Sequence, residues 1–136
     1  MNIALIADDA KKELMIQFCI AYSGILHKHN MSSTDSTGRM VSEATGLRTQ
    51  KFLGGEKGGV QQISARVACN EVDLLIFFRD PMKPFDPHTE SMERNLLKVC
   101  DQHNVPTATN IATAEALIHS LNRGDLDWRE IVKARA

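Results

Sequence analysis

The stretch Val72-Asp73-Leu74-Leu75-Ile76-Phe77-Phe78-Arg79-Asp80-Pro81 decides the fold. Six of the seven residues from Val72 to Phe78 are apolar and show no clear alternation, which is typical of a strand buried on both faces of a parallel sheet. Arg79 and Asp80 end the apolar run, and Pro81 stops the ladder of hydrogen bonds. Ligands of open α/β sheets bind at the carboxyl ends of the strands. Asp80 is therefore either a functional carboxylate at that edge or the polar residue of an ordinary turn.

The bulk properties indicate one domain, residues 1–136, in a reducing compartment. A chain of 136 residues can bury a real core, and a formal net charge of −1 argues against nucleic-acid or membrane-surface partners. The chain has an odd number of cysteines, which are widely spaced at Cys19, Cys69 and Cys100. We therefore expect buried free thiols. The start, Met1–Asp9, has no basic leader and too short an apolar run for a signal peptide or membrane span. These features predict a cytoplasmic protein.

Strands and helices alternate along the whole chain, which predicts a three-layer, doubly wound α/β fold. The predicted strands are Ile3–Ala7, Asn30–Thr34, Leu47–Leu53, Val72–Phe78 and Val105–Thr109. The predicted helices are Ala10–Lys28, Arg39–Thr45, one beginning near Val60, one carrying Met92–Cys100, Ala112–Leu121 and Asp127–Ala134. No spacing of His, Cys, Asp or Glu suggests a metal site.

Polar groups follow two of the early strands. Asp9 and Lys12 lie just after the first strand, and Lys12 is either a solvated lysine or an anion contact. The loop Thr34-Asp35-Ser36-Thr37-Gly38 precedes a helix. Hydroxyls and free N–H groups at a helix start form a good anion site, although the same residues also cap helices routinely.

Two further loops are candidates for a site. Gly54–Gly59 contains four glycines in six positions, which lets backbone amides approach a ligand closely, but no Gly-Lys-Ser/Thr follows as in a P-loop. His88 lies in the proline-containing loop Met82–Glu90, beside Asp86 and Glu90. A loop location is compatible with a site role, and an ordinary surface histidine is the alternative.

Several segments together match the motifs of one known family. They are Ile3–Asp9, Thr34–Gly38 followed by Glu43-Ala44-Thr45-Gly46, Gly54–Gln62, Val72–Pro81 and Pro106-Thr107-Ala108-Thr109-Asn110. On these motifs the chain resembles the methylglyoxal synthase family over nearly its whole length. The resemblance implies a flavodoxin-like fold, a homohexamer and conversion of dihydroxyacetone phosphate to methylglyoxal and phosphate, without a metal or organic cofactor. Related domains bind effectors in carbamoyl-phosphate synthetase and in a purine-synthesis enzyme.

The resemblance also implies roles for individual residues. Active-site carboxylates fall on Asp9 and Asp80, and His88 is the candidate for the histidine that polarises the substrate carbonyl. The phosphate-binding positions fall on Lys12, Thr34, Ser36, Thr37, Gly38, Gly54 and Gly55. The implied partner is a small phosphorylated metabolite or inorganic phosphate.

The chain departs from the family pattern at functional positions. Val60 occupies the position of the catalytic aspartate in Gly-Gly-Asp-Gln-Gln, Asp8 that of a histidine, and Gly54 that of a serine. Asp35 adds a carboxylate to the phosphate loop. Because valine cannot accept a proton, two hypotheses remain open. One is an enzyme with a substitute base; the candidates are Asp8, Asp9, Glu56 and Asp80. The other is a non-catalytic or regulatory homologue that binds a phosphorylated metabolite.

Overall fold

Five parallel strands form one sheet in the order β3-β2-β1-β4-β5. The structure is a computed structural model that describes residues 1–135; the side chains at positions 56, 134 and 135 lie outside that description. The strands are β1 (Asn2–Ala7), β2 (Asn30–Ser33), β3 (Thr49–Lys51), β4 (Leu74–Phe78) and β5 (Thr107–Ala108). The strand order reverses between β1 and β4, so this is the switch point where a ligand crevice is expected.

Helices connect the strands and cover both faces of the sheet. They are α1 (Lys12–Ala21), α2 (Ser23–Leu26), α3 (Asp35–Thr45), α4 (Gly59–Ala68), α5 (Pro87–Gln102), α6 (Ile111–Arg123) and α7 (Trp128–Arg135). Single turns of 3₁₀-helix at Asp9–Lys11 and Gly55–Lys57 precede α1 and α4. The prediction of a three-layer, doubly wound, flavodoxin-like fold is confirmed. None of the described helices is both long and apolar enough to cross a membrane.

The apolar run that decides the fold is divided between two cores. Leu74, Ile76 and Phe78 join a cluster on the face covered by α1, α3 and α6. Leu75 and Phe77 join a second cluster on the face covered by α4 and α5. All five side chains are buried. A strand in the middle of a doubly covered sheet has no solvent-facing side, which explains the missing polar alternation.

Several element boundaries differ from the predictions. The second long helix begins at Asp35 rather than Arg39, so the hydroxyl-rich stretch after Thr34 lies in its first turn. The predicted helix Ala10–Lys28 is divided at Tyr22 into α1 and α2. Cys69 is exposed after the end of α4, whereas Cys19 and Cys100 are buried as expected. The prediction of a third buried thiol is therefore wrong, because the chain leaves the core where that helix ends.

Two glycines are required by close packing. A Cβ at Gly38 would lie 2.2 Å from Ser33 Oγ, since α3 lies tightly against the sheet there. A Cβ at Gly59 would lie 2.0 Å from the carbonyl oxygen of Leu53. Real Cβ atoms do not approach other atoms so closely. These glycines bring α3 and α4 close to the carboxyl ends of β2 and β3.

A cluster of charged residues, Asp73, Arg129 and Lys133, lies at the amino ends of the strands. The Asp73 carboxylate accepts hydrogen bonds from the Asn2 amide at 2.8 Å and from Arg129 Nε at 3.1 Å. Lys133 Nζ lies 2.5 Å from the same carboxylate. Arg129 also donates to the carbonyl oxygen of Asn104 at 2.6 Å. Both Asp73 and Arg129 are buried, so this cluster attaches α7 to the start of the sheet.

Candidate functional site

A cleft of about 1310 Å³ opens at the carboxyl ends of the strands, around the switch point between β1 and β4. The amide of Asp8 donates to the carbonyl oxygen of Phe78 at 3.0 Å, which continues the pairing of the two strands into the cleft floor. Asp8, Asp9, Arg79 and Asp80 therefore follow directly from two adjacent central strands. The cleft has the location that α/β folds use for ligands.

Lys12 links the end of β1 to the start of α3. Its ammonium donates to Ser36 Oγ at 2.6 Å and to Asp9 Oδ1 at 2.8 Å. Only 19% of the Lys12 side chain is exposed, against 92% for Asp9. The hydrogen bond from Lys12 and its positive charge hold the pKa of the Asp9 carboxyl below its ordinary value. A half-enclosed ammonium next to a serine hydroxyl is suited to bind an anionic group.

The start of α3 contributes backbone donors to the same part of the cleft. The first N–H groups of a helix have no partner within it, and the helix dipole favours negative charge there. Thr34, which precedes the helix, makes no capping bond to these N–H groups through its side chain. Asp35, the new carboxylate of this loop, forms a 2.7 Å ion pair with Arg39 one turn later. That pair balances the charge that would oppose a bound phosphate.

The glycine loop and Val60 form another wall. Gly54, Gly55, Lys57 and Val60 line the cleft. Val60 lies in the first turn of α4, is 6% exposed and belongs to the apolar cluster that contains Phe77. The carbonyl oxygen of Gly54 accepts hydrogen bonds from the amides of Lys57 and Gly59 at 2.9 and 3.0 Å. The loop is therefore ordered by its own bonds, and Val60 presents a methyl surface to the cleft.

Lys83 also lies in the cleft, within a group of charges that the sequence did not suggest. Lys83 Nζ donates to Asp8 Oδ1 at 3.0 Å and to Glu93 Oε1. Glu93 is only 3% exposed and also pairs with Arg79 Nη2 at 3.5 Å. Although burial by itself lowers the pKa of Lys83, its hydrogen bonds to Glu93 and Asp8 outweigh that effect and raise the pKa above its ordinary value. Lys83 is therefore a fixed cation at neutral pH.

Asp80 organises the loop that carries Lys83. Its Oδ1 accepts the amide of Met82 at 2.9 Å, and its own amide donates to Asp8 Oδ2 at 2.7 Å. The carbonyl oxygen of Asp80 accepts the Lys83 amide at 3.4 Å. These bonds shape the turn after β4 and fix the orientation of Asp8. The structure thus gives Asp80 a clear contact with the turn, which was one of the two interpretations of its position.

The cleft includes most of the predicted site residues but not all of them. Those that line it are Asp9, Lys12, Thr34, Ser36, Gly54, Gly55 and Asp80. Thr37 and Gly38 are buried beneath the first turn of α3, and His88 is exposed in the first turn of α5; none of these three lines it. The side chain of Glu56, a candidate base, lies outside the described residues.

Helix capping explains the location of His88. Asp86 accepts the Thr89 amide at 3.0 Å, and Pro87 occupies the first position of α5, a standard helix start. The predicted loop therefore ends at Asp86, and His88 belongs to a helix. Glu93 is the residue of α5 that faces the cleft charges. In the described part of the chain, no group of three or more His, Cys, Asp or Glu side chains is arranged to hold a metal ion.

Comparison with known proteins agrees with this architecture. Residues 15–109 match the family model of the MGS-like domain. The chain is 56% identical to a methylglyoxal synthase of Caldicellulosiruptor saccharolyticus over 99% of its length and 94% of the relative's. It is 52% identical to the methylglyoxal synthase of Oceanobacillus iheyensis, covering 99% and 95% of the two chains.

A solved structure gives the same result. The crystal structure of methylglyoxal synthase from Elizabethkingia anophelis is similar, with a TM-score of 0.77 and 33% identity over 86% of this chain and 76% of that one. Sequence and fold thus agree over nearly the whole length of the chain. The chain belongs to the methylglyoxal synthase family.

Proposed function

We propose that the cleft binds dihydroxyacetone phosphate and converts it slowly to methylglyoxal and inorganic phosphate. The observation that carries this proposal is the contact of Lys12 with Ser36 at the start of α3. It joins a cation and a hydroxyl to the N-terminal end of a helix in one corner of the cleft, and these groups suit a phosphate dianion. Membership of the family supports a small phosphorylated substrate.

The reaction needs a base in addition to a phosphate site. A base removes a proton next to the ketone, the resulting enediolate is stabilised at its oxygen, and phosphate leaves from the adjacent carbon. Val60 offers no proton acceptor where the family motif has its aspartate. Asp8 and Asp80 follow the two strands at the cleft floor, but hydrogen bonds from Lys83 and from two backbone amides already engage them. Slow turnover follows, since losing a general base typically costs ~10²–10⁴ in rate.

A second candidate is a non-catalytic protein that binds a phosphorylated metabolite. The packing of Val60 supports it, because the valine side chain is an integrated part of the core cluster beneath α4. Such a protein would keep the phosphate corner and would lack proton abstraction. The two candidates share the ligand class and differ in turnover alone.

The decisive experiment measures phosphate release from dihydroxyacetone phosphate by the unmodified protein and by Val60→Asp. Helix-start donors keep a carboxylate at this position ionised, so we expect Val60→Asp to raise the rate by ~10²-fold or more. Phosphate affinity by calorimetry should change little. Val60→Asn is the matched control: it has nearly the same shape and polarity as the aspartate but cannot take the proton.

Three results would contradict this proposal. Family-like activity in the unmodified protein would mean that another carboxylate serves as base. An equal gain from Val60→Asn would mean that polarity rather than proton abstraction limits the reaction. No gain from Val60→Asp, in a folded protein that still binds phosphate, would favour the non-catalytic candidate.

The remaining properties implied by the family resemblance are part of the same proposal. We infer that the 136 residues act as one domain and that the protein is a cytoplasmic homohexamer. Light scattering on the purified protein tests the assembly directly, because a monomer or dimer at working concentration excludes the hexamer.

A further inference from the structure

Lys83 is a charged group of the cleft that lies outside the phosphate corner formed by Lys12 and Ser36. It lines the cleft together with Lys12, and its ammonium is held by two carboxylates, Asp8 and Glu93. An ammonium has three N–H donors, and these two bonds occupy two of them. The side chain is 27% exposed, so the remaining donor can reach a ligand in the cleft.

The backbone around Lys83 is also restrained. Pro81, Pro84 and Pro87 are spaced through the segment, and prolines reduce the conformational freedom that a loop would otherwise lose on binding. The turn is closed by the Asp80 bonds to Met82 and Lys83. A cation fixed at both its backbone and its side chain is preorganised, and preorganised donors stabilise developing charge best.

Lys12 and Lys83 are two of the lysines that line the cleft, and they are held by neighbouring residues. Asp9 binds Lys12 and Asp8 binds Lys83, and consecutive Cα atoms are only ~3.8 Å apart. The cleft therefore presents two cationic groups at the end of one strand, one beside the hydroxyl of Ser36 and one beside Glu93. A short ligand with phosphate at one end and a second electron-rich oxygen along its chain would satisfy both.

We propose that Lys83 contacts the carbonyl oxygen of the bound triose phosphate and stabilises the negative charge that this oxygen acquires in the enediolate. This inference rests on the proposed function and deepens it. It assigns to Lys83 the electrophilic role that the family resemblance implied for His88, which is exposed on α5 and does not line the cleft. Lys83 acts as a hydrogen-bond donor throughout, and its proton is not transferred.

The test uses equilibrium binding, so it does not depend on turnover. Calorimetry with three probes compares inorganic phosphate, glycerol 3-phosphate and 2-phosphoglycolate. The first two lack a charged oxygen at the carbonyl position, whereas the carboxylate of 2-phosphoglycolate carries one. In Lys83→Met we expect affinity for 2-phosphoglycolate to fall roughly tenfold or more, the scale of one charge-assisted hydrogen bond. Affinity for the other two probes should stay within about twofold.

A double variant separates direct contact from charge balance. Lys83→Met leaves Asp8 without its cation and Glu93 with Arg79 alone, and the resulting excess of negative charge could by itself weaken a carboxylate ligand. Lys83→Met combined with Glu93→Gln removes that excess charge, and replacing a buried ion pair by neutral groups is often tolerated well in folding. Selective weakening that persists in the double variant, with partial recovery in Lys83→Arg, supports direct contact.

Three outcomes overturn the inference. Recovery of 2-phosphoglycolate affinity in the double variant would assign Lys83 to charge balance alone. Equal weakening of all three probes would make it a general anion contact. The unmodified protein could also bind all three probes equally well. That result would contradict the electrophilic role of Lys83 and would leave the proposal of a phosphate site standing. Failure of every probe to bind would contradict the proposed function itself.

Discussion

Two ion pairs at opposite ends of the sheet differ in how far water reaches them. At the amino ends, Asp73 is 1% exposed and bound by Arg129 and Lys133. At the carboxyl ends, Lys12 and Asp9 form a pair in which the aspartate side chain is 92% exposed. Burial multiplies the cost of breaking an ion pair, whereas water screens an exposed one. We therefore expect the buried Asp73 cluster at the amino ends to determine stability and the Lys12–Asp9 pair at the carboxyl ends to determine binding.

Arg129→Met should have the largest effect. It removes one of the two cations that bind the buried Asp73 and leaves Lys133 and the Asn2 amide as its partners. Breaking a buried pair costs about 3–5 kcal/mol in the free energy of unfolding. Urea denaturation measures this, and phosphate affinity should be unchanged in the folded protein. Arg123→Met is the matched control, because its pair with Asp125 is largely exposed and is worth ~0–1 kcal/mol. Equal losses in both variants would contradict the distinction between the two ends.

Lys12→Ala should produce the reverse pattern. A charge-assisted bond to an enclosed anion is worth ~1.5–3 kcal/mol, so phosphate affinity measured by calorimetry should fall accordingly. Stability should change by less than ~1 kcal/mol, because the partner carboxylate is solvated. Lys28→Ala, an exposed lysine outside the cleft, should alter neither quantity. Unchanged phosphate affinity in Lys12→Ala would assign Lys12 to the solvated surface.

The smallest effect concerns the dependence of stability on pH. Burial alone would raise the pKa of Asp73, but hydrogen bonds from Lys133, the Asn2 amide and Arg129 outweigh it and hold the pKa below its ordinary value. A depressed carboxyl pKa stabilises the fold above the unfolded value of ~3.9, and this contribution disappears as pH falls through the lower folded value. Asp73→Asn should therefore make the loss of stability on acidification shallower. If urea denaturation showed the same dependence of the free energy of unfolding on acidic pH in both proteins, the stabilising role of the Asp73 carboxylate would be contradicted.

Much of the fold could be predicted from the apolar runs and from the residues that end each strand or helix. The sequence around β4 predicts a buried strand clearly, because helices cover both faces of that strand. Gly46 ends α3 as expected. The start of α3 was predicted too late because the hydroxyl residues after Thr34 resemble a loop. The low helix propensity of these residues has little effect on the stability of α3, because the helix packs against the core through Val41 and Thr37. Tertiary packing overrides weak intrinsic helix propensity.

The site was predictable where it follows strand ends and unpredictable where it depends on distant contacts. Lys12 and Ser36 were found because both lie next to a strand or helix boundary. Lys83 and Glu93 were not predicted as site residues. Lys83 lies in a loop, and its contacts with Glu93 on α5 and with Asp8 after β1 join residues that are distant in sequence. One signal existed: Glu93 shares the spacing of Leu96 and Cys100 on the buried side of α5, and a carboxylate there requires a cation.

The pairing of β1 with β4 has a consequence for the order of folding. Ile3 lies beside Leu74 in the register of these strands, so the central strand cannot be paired on both edges until more than half of the chain is available. Closing so long a loop costs entropy before the contact repays it. During synthesis, β1 and β2 can associate early, but the cleft between β1 and β4 forms only after β4 has emerged. A chain interrupted before β4 would expose the edge of β1, where premature association with other chains is a hazard.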